Sequence, residues 1–593
     1  MGSMSFREEI PLRASTEVAW KVLADSARLN EFVGSAPYRV VESLDRDGRL
    51  QRRAVGKLGP LVAEWVESYG EWVEHRSAVQ ERFYHRGPLT YLRVNAELRE
   101  HANGSVIVFS GQTDWRSWLG TITALLGIPR VEFRKRARAL ARLVEEAANQ
   151  GPQAPPFGFS AAASERLERL MPAWKQAAGS DVPALVIEEL RSSPATHLQR
   201  MRPLALSRRW QRPLDVVVRG LLAGHAAGAV TLQWDVLCPR CRGAKAAAGN
   251  LYDLPQGVHC SSCNIDYERD FINNVELTFK PATWLRPLPE GSFCMLGPAT
   301  TPHVRVQAKV APRDHVTVAG SLSPGRYRAR TAESGPQQDV DIESGHALAI
   351  RLTVDSIEVT GAAADSIVLR NDTDRPRTFV IEDRAWAADA LTGDRVIAMP
   401  VFRELCPEQV VRPGDQVAIG HVAILFADIR GSTALYAEVG DVKAYGLVRD
   451  YFGFFERHLK TANGVLIKTM GDAVMAAFAE PGDAIGAAIA IHRDITEFGR
   501  THGGEIVPKI GLHVGPCIAV NTNGVLDYFG TTVNLAARLE TASRGDDIVL
   551  SASVAADPVV GRAIVGLGKE TESIVLRGFT DPVAVVRVRV PAP

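Results

Sequence analysis

His421-Val-Ala-Ile-Leu-Phe-Ala427 is an unbroken apolar run that ends on Asp428-Ile429-Arg430-Gly431-Ser432-Thr433. A continuous apolar stretch of this length suits a central strand buried on both faces. A carboxylate at the end of such a strand is costly unless a cation meets it. Gly431 lets the backbone pass close to a ligand. Ser432 and Thr433 can open the next helix, whose unpaired N–H groups suit phosphate. Taken alone the motif is equally an ordinary helix cap, so its neighbours have to decide.

Downstream, Tyr445, Val448, Phe452, Phe455 and Leu459 recur at helical spacing until Asn463-Gly464 ends the pattern. Two short apolar runs, Val465 to Lys468 and Ala473 to Phe478, flank Gly471-Asp472 and predict a β-hairpin with Asp472 at its tip. A helix over Asp483 to Phe498 and a strand over Pro508 to Gly515 follow. Leu526-Asp527-Tyr-Phe-Gly530 then leads into a further helix, on which Asn534 and Arg538 are four apart and share one face. Each polar residue has a bland reading as a turn, exposed-strand or solvated-helix residue. The bland readings would have to hold independently at every one of these fixed spacings.

In order and separation, residues 419–592 resemble the catalytic domain of class III adenylyl and guanylyl cyclases. The resemblance implies a βαββαββ palm-like fold working as a head-to-tail homodimer, each site lined by both chains. It assigns Asp428 and Asp472 to two Mg²⁺ or Mn²⁺ ions and Lys468 with Asp527 to adenine. Asn534 is matched to the ribose and Arg538 to the charge on the α-phosphate. Ile429, Gly431, Ser432 and Thr433 are matched to substrate binding, and Arg577 aligns only loosely with a residue contacting the terminal phosphates. Hard oxygen ligands suit such cations, and a guanidinium suits an anionic transition state. Adenine offers an N6 donor to Asp527 and an N1 acceptor to Lys468. Guanine reverses that pattern, and guanylyl cyclases typically carry Glu and Cys there. The expected activity is therefore conversion of ATP to cyclic AMP and pyrophosphate. The alternatives are a catalytically silent nucleotide-binding regulator, or a cyclase acting on GTP or a pyrimidine triphosphate.

At 593 residues the chain needs about three to five domains. Its 68 basic and 68 acidic residues balance, which gives no electrostatic reason to expect nucleic acid or an anionic membrane as partner. No stretch reaches the roughly 20 apolar residues of a membrane span, and no secretory signal opens the chain, so a cytoplasmic protein is expected.

Cys238-Pro-Arg-Cys241 and Cys260-Ser-Ser-Cys263 are two CxxC pairs across an eighteen-residue spacer. Two such knuckles offer four thiolates to one structural Zn²⁺, with no open position left for chemistry, so residues 236–270 read as a zinc ribbon.

Residues 5–150 begin with an alternating strand and a capped helix (Ala14-Ser-Thr-Glu-Val-Ala-Trp20). They continue through alternating segments to a long amphipathic helix, Val131 to Ala148. This order resembles the START/SRPBCC helix-grip fold, which implies a cavity for a hydrophobic small molecule; a filled core is the other reading. Residues 159–235 read as a helical segment. Residues 271–418, with short alternating runs between turn residues, read as a β-sandwich. The fold class expected is thus multidomain α+β.

Overall fold

The protein was analysed as a computed structural model. It describes residues 3–591 apart from 45–49, 59–60, 69, 117–126, 151–156, 241, 261–264, 290–296, 302, 320–321, 334, 343–346, 363–365, 385–389, 413, 416, 433–439, 503–505 and 523–524. Of the expected site residues, Thr433, Cys241 and Cys263 lie outside the described residues.

The alternating N-terminal run forms strand Ser3–Leu12, antiparallel to Gly104–Trp115, which pairs on with Leu89–His101 and Ser77–Arg86. Helix Ile128–Gln150 packs against this sheet and turns Leu140, Leu143 and Val144 into a core with Trp20, Ile107 and Phe109. Phe133 of the helix meets Phe109 with the rings tilted at 42° and their centroids 4.7 Å apart.

The sheet does not stop at this unit. Its short strand Glu71–Val73 pairs with Val304–Val310, and the Trp72 indole donates to the Val304 carbonyl at 3.0 Å. Twelve strands therefore form one sheet from residue 3 to residue 383. From residue 304 onward, part of it faces a four-stranded sheet (Asp314–Ala319, Ser366–Asn371, Ala347–Leu352 and Ile357–Ala362) across a core of Val306, Tyr327, Ile350, Leu369 and Phe379.

Between these regions, helix Ala161–Ala178 starts on the Ser160 side chain, which accepts from the Ala163 N–H. The Trp174 indole donates to the Gly220 carbonyl of helix α1 (Leu214–Ala226) at 2.8 Å. Helix α1 packs against strand β1 (Val230–Leu237), which pairs with β2 (Val275–Pro281). The 270/271 position is thus bridged by a sheet. Two short helices follow these sheets: α2 (Gly393–Ile397), against β2, and α3 (Pro400–Leu405), against α1.

The C-terminal domain is built on β3 (Val417–Ile429), helix α4 (Asp441–Thr461), the hairpin β4 (Gly464–Met470) and β5 (Ala473–Phe478), and helix α5 (Pro481–Thr501). Next come β6 (Pro508–Thr522), β7 (Val525–Phe529), helix α6 (Thr531–Ala542), β8 (Asp547–Ser551), β9 (Gly568–Ile574) and β10 (Val583–Arg589). The sheet order is β4-β5-β3-β6-β8-β10-β9, with β7 paired to β6. Central β3 is buried from Val422 to Ala427, as its unbroken apolar run requires. Helices α4 and α5 cover one face through Tyr451, Phe455, Ile485 and Ile491. The other face does not end at the domain. Ile424, Met475 and Tyr528 join Phe402, Val396, Trp234 and Trp174 in a single core that reaches back to the helical segment.

Candidate active site

Asp428 sits at the end of β3 and Asp472 at the tip of the β4–β5 hairpin. The fold brings the two acids close enough for the charge of Asp472 to act on the Asp428 carboxyl. Burial first, then the neighbouring Asp472 carboxylate, push the Asp428 carboxyl up to about 6, with Glu540 adding to the rise. The Oδ2 atom of Asp472 is buried without a hydrogen-bond partner. Two crowded carboxylates, one with an orphaned oxygen, form a donor set that divalent cations with a preference for oxygen would satisfy. The expected metal residues therefore fit the group they were matched to.

Lys468 on β4 and Asp527 on β7 meet as an ion pair, Nζ donating to Oδ2 at 2.7 Å. The Lys468 side chain is 37% exposed and that of Asp527 15%, so the pair lines an accessible surface while the aspartate is held from behind. Its other oxygen accepts the Tyr528 N–H at 2.8 Å, which fixes the carboxylate's orientation. Strands β4 and β7 are not neighbours in the sheet. Their polar side chains nevertheless converge.

Asn534 and Arg538 both lie exposed on α6, one turn apart, and neither side chain has a hydrogen-bond partner among the described residues. They do not reach the two acids within one chain through any described contact.

Gly431 adopts φ +72° with open space around it, so the chain turns there in the left-handed region. Ile429 follows Asp428 at the end of β3. Its side chain is buried in the core, and its N–H donates to the Asp428 carboxylate at 2.8 Å. Ser432 is half-buried beside it, and Arg577 is exposed.

Two supports had no motif to announce them. Lys509 on β6 pairs with Glu540 on α6 at 3.0 Å, which ties the helix bearing Asn534 and Arg538 to the sheet next to Asp428. Arg403, more than a hundred residues upstream, contacts both neighbours of Asp527. Nothing in local spacing marks either residue.

At the paired cysteines, Cys238 and Cys260 are buried together with Ile265 and Tyr267 against them. The Arg240 N–H points at the Cys238 sulfur at 3.4 Å, and Arg242 closes the turn at φ +57°. A tight turn that offers an amide to sulfur fits a metal-binding thiolate knuckle.

Residues 415–557 match the family described as the adenylate and guanylate cyclase catalytic domain, and residues 164–289 match a family of unknown function, DUF5939. An adenylate cyclase of Mycosarcoma maydis is 29% identical over 187 residues, 28% of this chain and 7% of that protein. A receptor-type guanylate cyclase of Drosophila melanogaster is 27% identical over 186 residues, 28% of this chain and 12% of that one. The chain thus spans a small fraction of the length of these relatives. Among solved structures, an adenylyl cyclase of P. aeruginosa aligns at 23% identity over 29% of this chain and 95% of that chain, with a TM-score of 0.27.

The C-terminal domain is a class III nucleotide cyclase catalytic domain. The relatives include both adenylate and guanylate cyclases, so similarity leaves the base unassigned. No described helix is long and apolar enough to cross a membrane.

Proposed function

We propose that the chain converts ATP to cyclic AMP and pyrophosphate at sites formed between two copies of the C-terminal domain. The observation that carries the adenine assignment is the Lys468–Asp527 pair. It sets a donor and an acceptor side by side in the order that adenine N1 and N6 require.

Lys468 donates to N1 and Asp527 accepts from the N6 amino group. Asn534 holds the ribose so that its 3′-oxygen faces the α-phosphorus. The 3′-oxygen attacks, the bond to the β-phosphate oxygen breaks, and pyrophosphate leaves. Arg538 meets the charge that builds on the α-phosphate with a fork of fixed donors, an effect worth about 10²–10³ in rate at comparable sites. Two divalent cations, Mg²⁺ or Mn²⁺, held by Asp428 and Asp472 would lower the pKa of the attacking hydroxyl and offset phosphate charge.

A second copy is called for because Asn534 and Arg538 stand open to solvent and reach the acids through no described contact. Phe529, 64% exposed, and Met470, 45% exposed, flank the site as apolar surface for that partner to cover.

The four cysteines Cys238, Cys241, Cys260 and Cys263 would hold one structural Zn²⁺. The helical segment would regulate the cyclase through the core it shares with it, and the N-terminal helix-grip unit would act through the sheet it shares with Val304–Val310. Incubation of the purified chain with ATP and Mn²⁺, with the product identified by mass, tests the activity: cyclic AMP is expected. Its absence from a folded, dimeric preparation refutes turnover and favours a silent nucleotide-binding regulator.

A further inference from the structure

Asp527 lies on β7 between two residues that are gripped from outside the catalytic domain. The Leu526 carbonyl accepts from Arg403 Nη1 at 2.7 Å. The same guanidinium lies over the Tyr528 ring, 4.3 Å from its centroid, and the Tyr528 hydroxyl donates to the Ile397 carbonyl at 3.3 Å. Side chains alternate along a strand, so Leu526 and Tyr528 point away from the face that carries Asp527. Arg403 therefore acts on the back of the base-reading strand and stays clear of the base.

Arg403 belongs to α3, which is anchored on its far side. Phe402 is fully buried, meets Trp234 of β1 edge-on with centroids 5.8 Å apart, and shares its core with α1. Helix α3 also packs against β4, the strand that carries Lys468. Both members of the pair thus lean on one short helix, and that helix leans on the segment matching the family of unknown function.

The grip is costly. Arg403 Nε and Nη2 are buried with no hydrogen-bond partner, and burying unpaired donors of a charged group is strongly unfavourable. An apolar side chain of similar length would fill the space without that penalty. What only a guanidinium supplies here is a donor to the Leu526 carbonyl together with a flat cation over Tyr528.

We propose that Arg403 is a positioning residue for base recognition, clamping β7 from behind so that Asp527 stays in register with Lys468. The clamp sets affinity for the triphosphate and choice of base, and leaves the phosphate chemistry at Asp428, Asp472 and Arg538 alone. It rests on the adenine reading above, so its test carries a control for that reading.

Initial rates with ATP and with GTP, in Mn²⁺, are measured for Arg403→Leu, Arg403→Lys and Lys468→Ala. Arg403→Leu should raise KM for ATP about tenfold, lower the preference for ATP over GTP by a similar factor, and hold kcat within about twofold, as expected for loss of one charge-assisted hydrogen bond. Arg403→Lys keeps a donor to Leu526 but not the planar stack, and should fall between Arg403→Leu and the unaltered chain. Lys468→Ala must itself lower the preference. If it does and Arg403→Leu does not, the clamp is refuted while the base assignment stands. If neither changes the preference, both fall. A parallel loss of kcat and thermal stability in Arg403→Leu and Arg403→Lys, with the ATP:GTP ratio unchanged, makes Arg403 merely structural and overturns the proposal.

Discussion

Exchanging the base-reading pair, Lys468→Glu with Asp527→Cys, should turn preference from ATP to GTP. In the free protein the two side chains satisfy each other at 2.7 Å, so the bound base replaces an existing contact at each. Adenine returns a partner to both. Guanine presents its O6 acceptor to the Asp527 carboxylate and its N1 donor to the Lys468 ammonium, leaving both groups facing like groups. A hydrogen bond to a charged group is worth about 1.5–3 kcal/mol, so two mismatches cost about 3–6 kcal/mol.

Lys468 is 37% exposed and can swing into water, which favours the low end of that range. About 3 kcal/mol corresponds to a preference for ATP of about 10²-fold in kcat/KM. Reversing both groups should reverse the sign, so the ratio moves by about 10⁴ overall. Asp527→Cys alone keeps the lysine's match to N1 and should lose about tenfold. Competition assays with equimolar ATP and GTP, products separated by chromatography, read the ratio directly. A double variant that still turns over with Mn²⁺ yet keeps its preference for ATP within about threefold of the unaltered chain would show that these residues do not read the base.

Gly511 on β6 lies under α6, where an added Cβ would stand 2.0 Å from the Glu540 backbone nitrogen. Gly511→Ala must therefore push α6 off the sheet. A cost of about 1–3 kcal/mol in thermal or denaturant unfolding is expected, with a fall in kcat because Asn534 and Arg538 move with the helix; an unchanged melting temperature contradicts this packing. Elemental analysis of the purified chain should find about one zinc per chain, lost together with several degrees of thermal stability on Cys260→Ser. Zinc-free protein of undiminished stability would remove the proposed metal.

The catalytic domain was legible because its polar residues sit at the ends of elements that announce themselves. The apolar run before Asp428 suits a buried strand, Gly471-Asp472 suits a turn between two runs, and Asn534 and Arg538 share a face by helical period. What alternation cannot supply is the identity of a strand's neighbour. Glu71–Val73 pairs with Val304–Val310, and Val230–Leu237 with Val275–Pro281, across boundaries that composition had drawn between units. Arg403 was hidden for the same reason: its contact with Leu526 is a product of tertiary packing over 123 residues.

The composite site is tested most directly by mixing two dead variants. Asp428→Ala removes an acid and Arg538→Ala removes the guanidinium, and each homodimer should be inactive. Random exchange of equal amounts places about half of the dimers in mixed pairs, each with one intact site of two, so about a quarter of the unaltered activity should return. Mixed dimers shown by dual-tag capture to have formed, yet as inactive as the separate variants, would contradict a site divided between two chains.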